Sequence, residues 1–295
     1  MSACDGVEGG HTLRYPTSAI EDCLAGGISA EVAIARMLLA CTPAATITAE
    51  LDAAPSPDPR WTAMRALANG RQKALNDLAD RVRHTRAQHS AAGATPEQGV
   101  AQIARFFDNA VLHSPEASVA LYSLGDPAIL AAATDEIIAW LPLPPHADVL
   151  DLGCGIGRIA GAVAPRCHSI LGLDVSPGMI AEARRRHPAL RFEQTGGQNL
   201  DLLADRSLDL IIAVDSFPYI VQTGSETVAA HLSGAARALR PGGMLVILNL
   251  SYRADLAQDR ADAEAWQFHG FTLEIAGPRP FQLWDGTAFM LRRLS

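Results

Sequence analysis

The chain has 295 residues, 48% of them hydrophobic and 19% charged, with a formal net charge of −8. That composition carries enough apolar material for a buried core and excludes a disordered chain, and the length predicts about two domains. The negative balance argues against a nucleic-acid partner, which needs a basic surface facing phosphate.

The first residues show no basic stretch followed by an apolar one, so no secretory leader is expected. No apolar run approaches the ~20 residues that span a bilayer. Five cysteines at scattered positions make neither a disulfide nor a zinc pattern. A cytoplasmic protein without membrane association or a bound metal is therefore expected.

Residues 1–16 are Gly-rich and polar without periodicity and are expected to be loosely attached. A helical pattern starts at Thr17, with Ile20, Cys23 and Leu24 on one face, and ends at Gly26-Gly27. Ser29 caps a second helix bearing Val32, Ile34, Ala35, Leu38 and Leu39, which stops before Pro43. A short third helix is predicted over 48–53. After the break Pro55-Ser56-Pro57-Asp58-Pro59, one long helix is predicted over 60–89, with Trp61, Met64, Leu67, Leu75, Leu78 and Val82 on one face. His84 and His89 are five apart and do not share that face, so they make no metal pair. The basic runs at 81–84 and 184–186 read as solvated helix faces. Residues 90–94 read as a linker.

Thr95-Pro96 opens the next helix, with Ile103, Phe106, Phe107, Ala110 and Val111 on its apolar side. A short helix starts at Ser114-Pro115. A third, capped by Asp126-Pro127, runs through Ile137, Ile138 and Trp140 to the prolines at 142–145. The chain then alternates as a parallel α/β sheet does. Strands are predicted over 149–152, 169–174, 190–194, 208–214 and 244–250, with helices over 158–163, 177–186 and 226–239. Strand 208–214 is a near-continuous apolar run, the pattern of a strand buried on both faces. A helix over 254–266 and a hairpin, 271–275 with 288–293, close the chain.

Two strand ends carry chemistry. Asp151-Leu152-Gly153-Cys154-Gly155-Ile156-Gly157 is a carboxylate followed by a glycine turn that opens a helix, where backbone N–H groups converge on a ligand crevice. The dinucleotide fingerprint fails in register: counting from Gly153 puts Arg158 in the third glycine position, and counting from Gly155 puts Ala160 there. Asp151 would repel a pyrophosphate but suits a ligand carrying an ammonium. The second strand ends in Asp174, placed to accept both hydroxyls of a ribose.

With this spacing the two signals resemble the class I, Rossmann-like S-adenosylmethionine-dependent methyltransferases, from about Thr95 to the C-terminus. The turn Leu239-Arg240-Pro241-Gly242-Gly243 is similar as well. The resemblance implies a Rossmann-like α/β fold: a seven-stranded, mostly parallel sheet with a C-terminal antiparallel hairpin, here preceded by an all-helical N-terminal region. It implies S-adenosyl-L-methionine as cofactor, its amino group held by Asp151 and its ribose by Asp174. Gly153, Cys154, Gly155, Gly157, Val175 and Met179 would complete the cradle. Cys154 reads as a small packing residue rather than a nucleophile. Helices ahead of the first strand cover the cofactor in this family, which makes Tyr122 a cofactor contact and His113 the one candidate base.

The sequence departs from the family after the third strand, where Gln198 and Asn199 stand in place of an acid for the adenine amine; an amide carbonyl can accept that hydrogen bond. After the fourth strand, Asp215-Ser216-Phe217-Pro218-Tyr219 lacks the uninterrupted motif of base-methylating enzymes, which argues against nucleic acid. Asp215 is expected at the cofactor or the acceptor, with Tyr219, Asn249 and Tyr252 around the substrate. The expectation is methyl transfer to a small molecule by a domain over 95–295. Residues 1–94 would serve substrate recognition, a lid or homodimer formation. The alternatives are an aminopropyl transferase, a non-catalytic cofactor-binding regulator or scaffold, and a protein or RNA methyltransferase.

Overall fold

The computed structural model describes residues 15–39, 42–53, 55–71, 75–76, 95–113, 115, 123–124, 126–253 and 255–295. The expectations for residues 1–14, for the helix opened by Ser114 and for the 90–94 linker lie outside these. The chain divides into two compact units that are not contiguous in sequence. One comprises 1–93, 120–133 and 281–285, and the other 94–119, 134–280 and 286–295.

The first unit is helical. Helix Ala30–Leu39 is its centre, with Val32 to Leu38 buried nearly all the way round. It carries one charge inward: Arg36, 8% exposed, donates to both oxygens of Asp285 at 2.6 and 2.7 Å and to Asp22 at 2.5 Å. A buried cation persists only when its donors are matched in this way. Helix Ala44–Ala53 starts four residues earlier than the sequence suggests, because the Pro43 carbonyl accepts from the N–H groups of Thr46 and Ile47. Helix Pro59–Gly70 is capped by the Asp58 carboxylate on the Arg60 N–H, and the Trp61 indole donates to the Leu51 carbonyl.

The single helix predicted over 60–89 is thus corrected. It ends at Gly70, the poorest helix former in the stretch, and Arg71 turns away to pair with Asp126 at 2.5 Å. Leu78 and Val82 lie outside the described residues.

Segment 281–285 belongs with these helices. Phe281 and Trp284 are 2% and 1% exposed and stack edge to face at 5.1 Å, and the Gln282 carbonyl accepts the Ser29 N–H. A chain that begins at Thr95 would bare both aromatics and leave Asp285 without Arg36. It is expected to aggregate or to lose at least 10 °C of melting temperature, roughly what ~3 kcal/mol does to a domain of this size. A soluble, cooperatively melting fragment with an unchanged midpoint would contradict this.

The second unit is a seven-stranded sheet of order β3-β2-β1-β4-β5-β7-β6. Its strands are β1 (Asp148–Leu152), β2 (Ser169–Asp174), β3 (Arg191–Gln194), β4 (Leu208–Val214), β5 (Leu239–Leu248), β6 (Phe271–Ala276) and β7 (Ala288–Arg293). The first five run parallel, and β7 lies antiparallel between β5 and β6. β4 is buried at six of its seven positions, as its apolar run requires. β1 leads outward through β2 to β3 on one side, and β4 then starts on the other side. The crevice above the C-terminal ends of β1 and β4 is therefore the switch point where such sheets bind ligands.

Two boundaries differ from expectation. β5 begins at Leu239 rather than Met244: Leu239 pairs with Leu208, and the ladder resumes only at Leu210 with Met244. Arg240 in that excursion bridges Asp148 and Asp209 at 2.9 and 2.6 Å, which favours an early strand start. A helix, Phe217–Gln222, occupies a stretch to which the sequence assigned no element.

Candidate functional site

The turn after β1 is built from backbone. Gly153 (φ 73°) and Cys154 both donate to the Leu173 carbonyl, at 2.7 and 2.9 Å, and Gly157 donates to the Cys154 carbonyl at 2.9 Å. Gly157 (φ 78°) then opens helix Arg158–Val163. Gly153 admits no side chain, because a Cβ there would lie 2.2 Å from the Ser216 Cβ. The Ser216 hydroxyl donates to the Leu152 carbonyl at 2.5 Å, joining the ends of β1 and β4.

Asp151 points under this turn and is 1% exposed. Its Oδ2 accepts the Ala160 N–H at 2.9 Å, and no donor reaches Oδ1 among the described residues. Burial raises its carboxyl to about 7, against the pull of the Ala160 N–H and Arg158 and with a push from Asp174. The folded protein thus holds a proton that the unfolded chain, with its ordinary value of 3.8, releases. The stability this group contributes is complete below about pH 4 and lost as pH climbs to about 7, a swing of at most about 4 kcal/mol.

Asp174 ties the two turns together. Oδ2 accepts the Gly155 N–H and Oδ1 the Ser176 N–H, both at 2.9 Å, and burial raises its carboxyl too. The next helix, Pro177–Arg186, is capped by the Ser176 hydroxyl on the Met179 N–H. That hydroxyl donates onward to Asp108 at 2.6 Å, and Asp108 also accepts the Gly178 N–H at 2.8 Å. Asp108 belongs to helix Pro96–His113, whose Val111 and Phe107 pack with Ile156 and the buried Met179. Sequence reasoning missed Asp108, since an acid beside an apolar stripe looks like any solvated helix position.

The other predicted residues fall as follows. Cys154 is buried beneath the turn, where desolvation raises its thiol well above the ordinary value, so it packs as a neutral side chain. Val175 is half-buried, and its carbonyl accepts the Gln194 amide at 3.2 Å. Gln198 and Asn199 are half-buried beyond β3; the Asn199 carbonyl is turned back onto the Asp201 N–H at 3.1 Å, while Gln198 lies against Gly196. His113 ends its helix, but its side chain lies outside the described residues, as does all of Tyr122.

Across the crevice, Asp215 (φ 56°) follows β4 and Asn249 (φ 67°) follows β5. Both adopt left-handed backbone, which Asp and Asn tolerate better than other side chains. The Asn249 amide donates to Asp215 Oδ1 at 2.5 Å and its carbonyl accepts the Thr287 N–H at 3.0 Å, so each fixes the other. The Tyr252 hydroxyl donates to the Asp215 carbonyl at 3.2 Å. The Tyr219 ring lies between Phe107 and Tyr252. Among the described residues no cluster of His, Cys, Asp or Glu is placed to hold a metal, and no helix is long and apolar enough to cross a membrane.

Residues 149–243 match the methyltransferase domain family. The trans-aconitate 2-methyltransferase of Methylobacterium nodulans is 39% identical over 114 residues, 38% of this chain and 42% of that protein. The demethylmenaquinone methyltransferase of Tropheryma whipplei is 34% identical over 108 residues, 36% of this chain and 42% of that protein. The match therefore spans 42% of the length of these curated relatives. The structure of phosphoethanolamine N-methyltransferase 1 of Haemonchus contortus, in complex with phosphoethanolamine and S-adenosylhomocysteine, aligns with a TM-score of 0.54 at 16% identity. It covers 68% of this chain and 50% of that one, and shares the fold. Over residues 149–243 the chain carries a methyltransferase domain, and its fold is similar to that of the class I, Rossmann-like S-adenosylmethionine-dependent methyltransferases.

Proposed function

We propose that the protein transfers a methyl group from S-adenosylmethionine to a small-molecule acceptor. The observation that carries the reading is the second oxygen of Asp151: buried, without a donor among the described residues, and beneath a glycine turn, it suits the cationic end of the cofactor. Asp174 uses one lone pair of each oxygen on backbone and keeps others for ribose hydroxyls. Gln198 offers an amide to the adenine edge. The cofactor supplies an electrophilic methyl on sulfur; the chain binds it, excludes water and orients the acceptor. The relatives are named for trans-aconitate and demethylmenaquinone, both small molecules, which supports the acceptor class.

His113 is the base proposed for an oxygen acceptor. Residues 1–94 are proposed to serve substrate recognition, lid formation or pairing of two copies, beside a catalytic domain over 95–295 in a cytoplasmic enzyme.

A cationic ligand favours the ionised form of Asp151, so binding expels its proton. Affinity for S-adenosylmethionine is expected to rise about tenfold per pH unit toward pH 7 and to fall again above about pH 8, where the ligand's α-amino group loses its proton. Asp151→Asn should abolish the rise. Calorimetry between pH 5.5 and 8.5 checks this, and a flat wild-type profile would take Asp151 out of the site.

Incubation with methyl-labelled S-adenosylmethionine and a fractionated cell extract tests the activity. Label in the small-molecule fraction supports the reading, and label in protein or RNA overturns the substrate class. Binding without any transfer would move the assignment to a regulatory protein.

A further inference from the structure

We propose that the methyl acceptor is a small amine, gripped as its ammonium form between the Asp215 carboxylate and an aromatic corner of Phe107, Tyr219 and Tyr252. The inference rests on the methyl-transfer reading and names the substrate class of the same crevice. The Tyr219 ring meets Phe107 at 5.1 Å and 82°, and Tyr252 at 5.7 Å and 81°. Tyr219 touches both other rings, so three aromatic side chains stand together, the side-chain type that attracts a cation within ~6 Å of a ring centre. The carboxylate stands at the same corner: the Tyr252 hydroxyl is 3.4 Å from Asp215 Oδ1. Asn249 and Thr287 hold it there through the left-handed backbone at both strand ends.

Carboxylates predominate around the crevice among the described residues. Asp108, Asp151, Asp174 and Asp215 all stand at this edge of the sheet. The arginines of the neighbouring segments are engaged elsewhere: Arg253 with Asp259 and Asp262, Arg158 with the Thr134 hydroxyl, and Arg105 with the Ala101 carbonyl. The carboxylate beside the aromatic corner is Asp215, so an ammonium there meets a counter-charge and an anionic acceptor meets repulsion.

In the reaction the ammonium loses one proton to the Asp215 carboxylate, which passes it to water. The freed nitrogen lone pair attacks the methyl carbon, and a C–N bond forms as the C–S bond breaks, its electron pair leaving on sulfur. The product nitrogen carries the positive charge again, so the corner accommodates both substrate and product. Such a nitrogen needs no further base.

The test is calorimetric titration of the full-length chain, saturated with S-adenosylhomocysteine, with benzylamine, benzyltrimethylammonium, benzyl alcohol and phenylacetate. Both cations are expected to bind about tenfold or more tighter than the alcohol, with phenylacetate the weakest. Asp215→Asn keeps the shape and a residue that tolerates φ 56°, and is expected to remove that preference while alcohol binding stays within about twofold. Tyr219→Leu should weaken benzyltrimethylammonium about tenfold by taking away the central wall. Equal affinities, tighter phenylacetate, or no binding of any probe while S-adenosylhomocysteine still binds would overturn the amine assignment. Failure of S-adenosylhomocysteine itself to bind would overturn the methyl-transfer reading instead.

Discussion

Asp174→Ala is expected to lower affinity for S-adenosylhomocysteine at least about a hundredfold while the chain stays folded. The wild-type carboxylate does two things at once. It orders the turns after β1 and β2 by accepting from Gly155 and Ser176, and under the proposed function its remaining lone pairs take the ribose hydroxyls. Hydrogen bonds to a charged group contribute about 1.5–3 kcal/mol each, so losing two such contacts is worth two or more decades of affinity. Alanine also leaves two N–H groups without their acceptor, at about 1–3 kcal/mol apiece. Part of that is offset, because the variant no longer buries a carboxyl whose charged form is penalised. Asp174→Asn separates the effects: it keeps one acceptor but sets an amide NH2 against one of the two backbone donors, and intermediate affinity is expected. Calorimetry with circular dichroism on all three chains decides. Affinity within threefold of wild type for a folded Asp174→Ala chain would remove Asp174 from the ligand site.

Gly153→Ala is expected to cost about 3 kcal/mol or more of stability and roughly 10 °C of melting temperature. Left-handed backbone alone costs an alanine about 1–2 kcal/mol, and the new methyl would lie 2.2 Å from the Ser216 Cβ. Neither side can give way easily, since Gly153 and Cys154 are both tied to the Leu173 carbonyl and Ser216 is tied to that of Leu152. The expected signature is non-additivity. Ser216→Gly destabilises by itself through loss of its hydroxyl hydrogen bond, yet it should recover part of the loss when combined with Gly153→Ala, because the clash is gone. A double variant no more stable than the sum of the singles would show that the contact is not what requires glycine.

The elements read correctly from the sequence are those whose signals are local. β4 is written as an uninterrupted apolar run because both its faces are buried. Helix Pro177–Arg186 announces itself through the serine cap and the proline that follows. Helix Phe217–Gln222 went unseen because four apolar or aromatic residues around one proline, closed by a glutamine, show no period. The early start of β5 was hidden because its first pairing, Leu239 with Leu208, precedes a four-residue excursion held by Arg240. Helix Pro96–His113 was legible, but not the task of its Asp108 at the far helix cap.

By itself the sequence determined the order of strands and helices, the glycine turn and the two carboxylates that close β1 and β2, for each depends on backbone preference and burial period within a few residues. The tertiary structure alone decided which distant groups meet. It set Arg36 against Asp285 across 249 positions, drew segment 281–285 into the helical unit, and brought Asp215, Asn249 and three aromatic rings to one corner. Charge and size say that a side chain needs a partner; only the path of the chain through space determines which partner comes within reach.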